Sequence, residues 1–161
     1  MASTGLSHVE LTVRDLDRSL HFYRDLLGLQ VIKEGTEQNL PASQDYTGIF
    51  ERPHRRFRYV VLHYQAESAG PYGMGPGAPI IVLIAPQDVP PTGTSIKVDQ
   101  VGITHIGLWV TGLDAVYEDL KKKGVQCVIP PHTLNQTMRS AFALDPDGIL
   151  IQLDERVGDT A

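Results

Sequence analysis

Two segments of this 161-residue chain repeat each other 97 residues apart, and no other feature of the sequence restricts the fold as much. The first reads His8-Val9-Glu10-Leu11-Thr12-Val13-Arg14-Asp15-Leu16-Asp17; the second reads His105-Ile106-Gly107-Leu108-Trp109-Val110-Thr111-Gly112-Leu113-Asp114. His8 and His105, Leu11 and Leu108, Val13 and Val110, Leu16 and Leu113, and Asp17 and Asp114 are identical pairs. Further along, Gly28 matches Gly124 and Gln30 matches Gln126 at an offset of 96, which reads as a one-residue difference in helix length.

Each copy begins with apolar residues at every second position, the period of a strand packed on one face. A helical stripe follows, Leu20, Phe22, Tyr23, Leu26 and Leu27 in the first copy and Leu113, Val116, Tyr117 and Leu120 in the second. Asp15 or Asp17 can cap the first helix, while Gly28 and Gly124 can end the two helices in the left-handed conformation. Strand-like runs come next at 29–33, 57–64 and 80–85, then at 126–129, 139–143 and 149–153. The fold class is therefore α+β, two tandem βαβββ modules whose curved mixed sheets surround a shared cavity. The boundaries are 1–85 for the first module, 86–102 for a Pro-bearing linker and 103–161 for the second module. Segments 34–56 and 65–78 read as long loops, either binding surfaces or plain excursions.

Fourteen Lys and Arg against nineteen Asp and Glu leave a net charge of −5 with no basic stripe, which removes the footprint of a nucleic-acid binder. The apolar runs are of strand length, too short to cross a bilayer, and the first residues have neither a basic nor an apolar leader region. With one cysteine, Cys127, no internal disulfide can form, which suits a cytoplasmic location.

If Val9, Leu11 and Val13 face the helix, His8, Glu10 and Thr12 face the other way, and so do His105, Gly107 and Trp109. Repeat-equivalent histidines can then converge, and convergent imidazoles are what a divalent-metal site requires. Trp109 and Gly107 would give a flat wall with room beside it, suited to an apolar or aromatic small molecule. If Val60 and Leu62 face the helix, Tyr59 and His63 line the cavity. Arg139 can hold a substrate carboxylate or phenolate, or be a solvated charge. The Arg52, Arg55, Arg56 and Arg58 cluster around His54 is either a lure for an acidic ligand or a solvated surface. His21 reads as helix surface and His132 as loop, and Asp145-Pro146-Asp147-Gly148 as a tight turn without chemistry.

Ser7-His8-Val9-Glu10-Leu11, the helix end Phe22-Tyr23-Arg24-Asp25-Leu26-Leu27-Gly28-Leu29, Thr104-His105-Ile106 and the run from Asp145 to Leu153 resemble the vicinal oxygen chelate superfamily. That superfamily includes glyoxalase I, extradiol dioxygenases and bleomycin-resistance proteins, and the likeness spans residues 6–155. It implies metal ligands from the first and last strands of each module, which fall on His8, Val82, His105 and Gln152. Val82 cannot coordinate, and Gln152 stands where the family usually has a glutamate, so the implied set is His8, His105 and Gln152. The resemblance also implies a homodimer.

Glu10 is then a further anionic ligand, a partner to one, or a general base, unless it is an ordinary charge at a sheet edge; His63 is a replacement ligand or acid-base group. Two readings follow. In one, the chain is a metalloenzyme in which Fe, Mn, Co, Ni or Zn chelates adjacent oxygens of an apolar or aromatic metabolite, as a lyase, isomerase or dioxygenase. In the other it is a metal-free binding protein, of the drug-sequestering kind, or a cofactor-independent enzyme.

Overall fold

Alternation at the start of each repeat does produce strands. The computed structural model describes residues 6–38, 56–64 and 80–157. In the first half β1 (His8–Thr12) leads into a helix, α1 (Leu16–Leu20) continued by a π-helical turn (His21–Leu26), then β2 (Gln30–Gln38), β3 (Arg56–His63) and β4 (Ile80–Pro86). In the second half β5 (His105–Trp109) and α2 (Leu113–Lys122) precede β6 (Cys127–Asn135), β7 (Met138–Leu144) and β8 (Leu150–Arg156). The order βαβββ thus occurs twice. Each half forms a four-stranded mixed sheet, in the order β1-β4-β3-β2 and β5-β8-β7-β6. In both, the first strand runs parallel to the last and the other pairings are antiparallel. The chain divides into two compact units between Thr92 and Gly93, inside the segment read as a linker. Part of that segment is held within the second unit, where Ser95 Oγ donates to the Gly148 carbonyl.

The residue by which the two helices differ does not lengthen the first one. It is absorbed by the π-helical turn, in which the Leu27 N–H bonds the Phe22 carbonyl five residues back, at 3.1 Å. Both helices then stop at the expected glycines, Gly28 at φ 79° and Gly124 at φ 83°. The helix starts differ. Asp15 caps α1 through its own side chain, accepting from the N–H groups of Asp17 and Arg18. The repeat-equivalent of Asp15 is Gly112, which has no side chain to offer, and Glu155 from β8 takes over. Its Oε1 accepts from the N–H groups of Gly112 at 2.7 Å and Leu113 at 3.1 Å.

The packed face of each sheet is the one expected. Leu11, Val13, Val60, Leu62, Ile81 and Leu83 are buried with Leu16, Leu20 and Tyr23 of the first helix. In the second unit Leu108, Ala141, Ala143, Ile151 and Leu153 are buried with Leu113, Tyr117 and Leu120 of α2. Each fully buried Leu or Ile contributes roughly 2 kcal/mol, so these faces dominate the stability of both units.

Several expected boundaries move. β2 runs through to Gln38, so the loop read from residue 34 starts later; residues 39–55, with Arg52, His54 and Arg55, and the 65–78 segment lie outside the described residues. β6 continues through Pro130 and Pro131 to Asn135, which puts His132 in a strand instead of a loop. Two prolines are tolerated because β6 is an edge strand whose register with β7 shifts between Ile129 and His132. β8 passes Leu153 and takes in Asp154 and Glu155. The 145–148 turn is closed by the Asp145 carboxylate, which accepts from the N–H groups of Asp147 and Ile149. Among the described residues no helix is long and apolar enough to cross a membrane.

Candidate functional site

Strand register places the side chains of each open face in rows, because a side chain and its partners in neighbouring strands point the same way. In the first unit Glu10 pairs with Val82 and Val82 with Val61; one row over, Thr12 pairs with Ile84 and Ile84 with Tyr59. His8 pairs with Ile80, and His63 lies one residue past the Leu62–Ile81 pair, so both belong to the third row. His8, Glu10, Tyr59 and His63 therefore share the open face, as expected. Strand β4 separates β1 from β3, so His8 and Glu10 stand roughly 10 Å of backbone from His63. Tyr59 leans across β2: its hydroxyl lies 2.9 Å from where a Cβ of Gly35 would be, and the Lys33 ammonium sits 5.6 Å from its ring centre. At the end of the same strand, burial pushes the Tyr64 phenol up to about 12.

The second unit repeats this grid with different chemistry. Gly107 pairs with Gln152 and Gln152 with Phe142; Trp109 pairs with Asp154 and Asp154 with Ser140. His105 occupies the row of Leu150. Gln152 thus holds the place that Val82 has in the first unit, and Asp154 the place of Ile84. Ser140 is fully buried and Asp154 is 8% exposed, whereas Trp109 is 43% exposed. Asp154 Oδ1 accepts from the Ser140 hydroxyl and from Gln152 Nε2, the latter at 2.8 Å. The Phe142 ring carries His132 stacked at 6.3 Å between ring centres and His105 edge-on at 6.4 Å. Among the described residues the only atom within 4 Å of a would-be Gly107 Cβ is Asp154 Oδ2 at 3.5 Å, which leaves room at that position on the face shared with Trp109.

Both histidines are held alike. Ser7 Oγ lies 3.0 Å from His8 Nδ1, and Thr104 Oγ1 lies 3.0 Å from His105 Nδ1. Each hydroxyl immediately precedes its histidine, so the pairing is visible in the sequence as Ser-His and Thr-His, a signal that counting ligand types alone passes over. Among the described residues no group of three His, Cys, Asp or Glu side chains gathers as a ready-made cage for a metal.

Arg139 is placed on the other face of its sheet. Its guanidinium clamps Asp114 at 2.6 and 2.9 Å and reaches Glu155 at 3.3 Å, which ties α2 to β7 and β8. The hydrogen bonds from Arg139 hold the Asp114 carboxyl below its usual range. A corresponding strut occurs in the first unit, Arg58 to Asp17 at 3.3 Å, so the shared aspartate of the repeat serves the packing of helix on sheet. His21 is on the exposed helix surface as expected, bonded to Asp25 at 3.1 Å. Residues the sequence reading passed over are Ser140, Phe142 and Asp154. The sequence signal for Asp154 is its parity with Gln152, which shows only when the strand is carried past Leu153.

The chain is similar over almost its full length to proteins of known structure. A glyoxalase family protein from Bacillus cereus is 19% identical with a TM-score of 0.77, covering 98% of this chain and 97% of that one. A glyoxalase/dioxygenase from Nostoc punctiforme is 19% identical with a TM-score of 0.62, covering 96% and 92%. The trypanothione-dependent glyoxalase I of Leishmania major is 26% identical with a TM-score of 0.58, covering 94% and 86%. A sequence model of the family described as the Glyoxalase/Bleomycin resistance protein/Dioxygenase superfamily matches residues 5–153, and with both βαβββ units in place the chain belongs to that superfamily.

Proposed function

We propose that this protein is a small-molecule enzyme of the glyoxalase/dioxygenase kind that works with a divalent metal ion, and that His8, His105 and Gln152 are the ligands it supplies. The observation that carries this reading is the repeated hydroxyl-imidazole pair. A hydroxyl on Nδ1 orients each ring, and where it accepts from Nδ1–H it leaves the Nε2 lone pair free for a metal, the way a partner on the far nitrogen usually holds a metal-binding histidine. Gln152 fits the same role, because its Nε2 is engaged by Asp154 and Ser140 and its carbonyl oxygen makes no hydrogen bond among the described residues. Two imidazole nitrogens and an amide oxygen are a donor set for Fe, Mn, Co, Ni or Zn. Such an ion would supply Lewis acidity toward adjacent oxygens of the substrate. Trp109 would give an apolar or aromatic metabolite a flat surface, and Glu10 or His63 would hold or move a proton.

The test is metal content of untagged protein, before and after anaerobic incubation with Fe²⁺, Mn²⁺, Co²⁺, Ni²⁺ or Zn²⁺. We expect near-stoichiometric metal that His8→Ala and His105→Ala lose and Lys122→Ala keeps. No uptake of any of the five ions defeats the reading. A second reading, metal-free binding of an apolar small molecule, then takes its place; what favours it is the apolar row that β4 presents on the open face of the first unit, where Val82 and Ile84 stand in the places of Gln152 and Asp154.

A further inference from the structure

We infer that Asp154 is a positioning residue that orients the Gln152 amide as a metal ligand and lends it the negative charge that a neutral amide lacks, with Ser140 holding Asp154 in place. The inference rests on the metal reading above. Asp154 is a carboxylate at 8% exposure, and its hydrogen-bond partners among the described residues are neutral, the Ser140 hydroxyl and the Gln152 amide. Among the described residues it makes no ion pair, so its bonds to the Ser140 hydroxyl and the Gln152 amide are what fix it in place.

The hydrogen bond also decides which way the amide faces. An ionised carboxylate only accepts, so at 2.8 Å the atom of Gln152 against Asp154 Oδ1 must be Nε2. Ser140 Oγ lies 3.4 Å from the same nitrogen. The carbonyl oxygen is the atom left for a ligand. A charged acceptor on the N–H side strengthens that hydrogen bond and polarises the amide, which raises electron density on the carbonyl oxygen. Gln152 held in this way is a better donor than a free amide. The first unit has no such device, since Val82, Ile84 and Tyr59 stand where Gln152, Asp154 and Ser140 stand in the second.

Titration of the whole protein with Co²⁺, read by visible absorption and by competition with a chelating indicator, tests this without any assay of turnover. Asp154→Asn should weaken Co²⁺ binding by about ten- to a hundredfold while the metal-free protein melts no lower than wild type. The same substitution should leave binding unchanged or tighten it in a Gln152→Glu background. There Asp154 would face a second carboxylate, and removing it relieves like-charge repulsion. That reversal separates positioning from support of the fold, which would lower affinity in both backgrounds. Wild type that binds Co²⁺ beside an Asp154→Asn variant within about twofold of it overturns the inference and leaves the metal reading standing; a tenfold loss in both backgrounds overturns it also. Wild type that binds no Co²⁺, nor any of the other four ions, overturns both.

Discussion

On the packed side of the sheets the first module buries Leu11, Leu83 and Leu62 where the second buries Leu108, Leu153 and Ala143. On the open side, Glu10, Val82, Ile84 and Tyr59 of the first correspond to Gly107, Gln152, Asp154 and Ser140 of the second. The difference follows from what each side has to do. A face packed on a helix excludes unpaired polar atoms, so both copies stay apolar there even where size differs, as between Leu62 and Ala143. An open face is free of that constraint, and its polar residues differ between the copies: Glu10, Tyr59 and His63 in the first, Gln152, Asp154 and Ser140 in the second. His8 and His105, with their preceding hydroxyl residues, are the part of the open side that has not diverged.

The sharpest way to break this comparison is to cut the same hole in both packed faces. Leu83→Ala and Leu153→Ala remove fully buried side chains at register-equivalent positions and should each cost about 3 kcal/mol in urea unfolding. A large inequality would show that the two packed sides are not equivalent. The helix starts should respond unequally. Asp15→Ala removes a local cap and should cost about 1 kcal/mol. Glu155→Ala removes a long-range cap together with a partner of Arg139, and should cost about 2 kcal/mol. Restoring an aspartate at Gly112 should not rescue it, because φ there is 74° and a side chain in that left-handed region adds strain.

These two caps show what the sequence makes legible. Asp15 acts within three residues of itself, so its role can be read from spacing, as can the alternation of Val9, Leu11 and Val13 and the stops at Gly28 and Gly124. Glu155 acts on groups more than 40 residues away, and nothing in its neighbourhood announces that. Arg139 is the same kind of case: an arginine at a strand start suits a ligand as well as a helix, and only the register with Glu155 and the clamp on Asp114 place it on the packed face. On the open side the parity of His8, Glu10, His105 and Trp109 follows from period two, whereas Gln152 is reached only through the family resemblance. The Asp154–Gln152–Ser140 network follows from neither, because it needs both the true end of β8 and the pairing of β8 with β7.

Acid should act on the struts in a defined direction. Asp114 is held below its usual range by Arg139, and Asp25 is lowered to about 2 by its bonds with Arg24 and His21. Each is a depressed carboxyl, so its contribution is present above the unfolded value of about 3.9 and is lost as pH falls through the folded value. Melting temperature should therefore drop from pH 4 toward pH 2, and Arg139→Gln should make that drop shallower by abolishing the Asp114 part. An equally steep acid limb in Arg139→Gln would remove Asp114 from the account. The effect is small, because these carboxylates are solvent-exposed and screened.

The remaining asymmetry lies inside the first helix. Ser19 is fully buried, and among the described residues its Oγ has no hydrogen-bond partner, whereas the repeat-equivalent position is Val116. A buried hydroxyl left unpaired costs the desolvation of that group, and alanine is also the better helix former. Ser19→Ala should accordingly raise stability, by about 1 kcal/mol, with the metal-free protein in urea as the measure. Destabilisation instead would mean that the hydroxyl is satisfied in solution, by water or by a shift of the turn. In that case the serine is part of how α1 hands over to its π-helical turn, where the first module accommodates the residue that the second does not have.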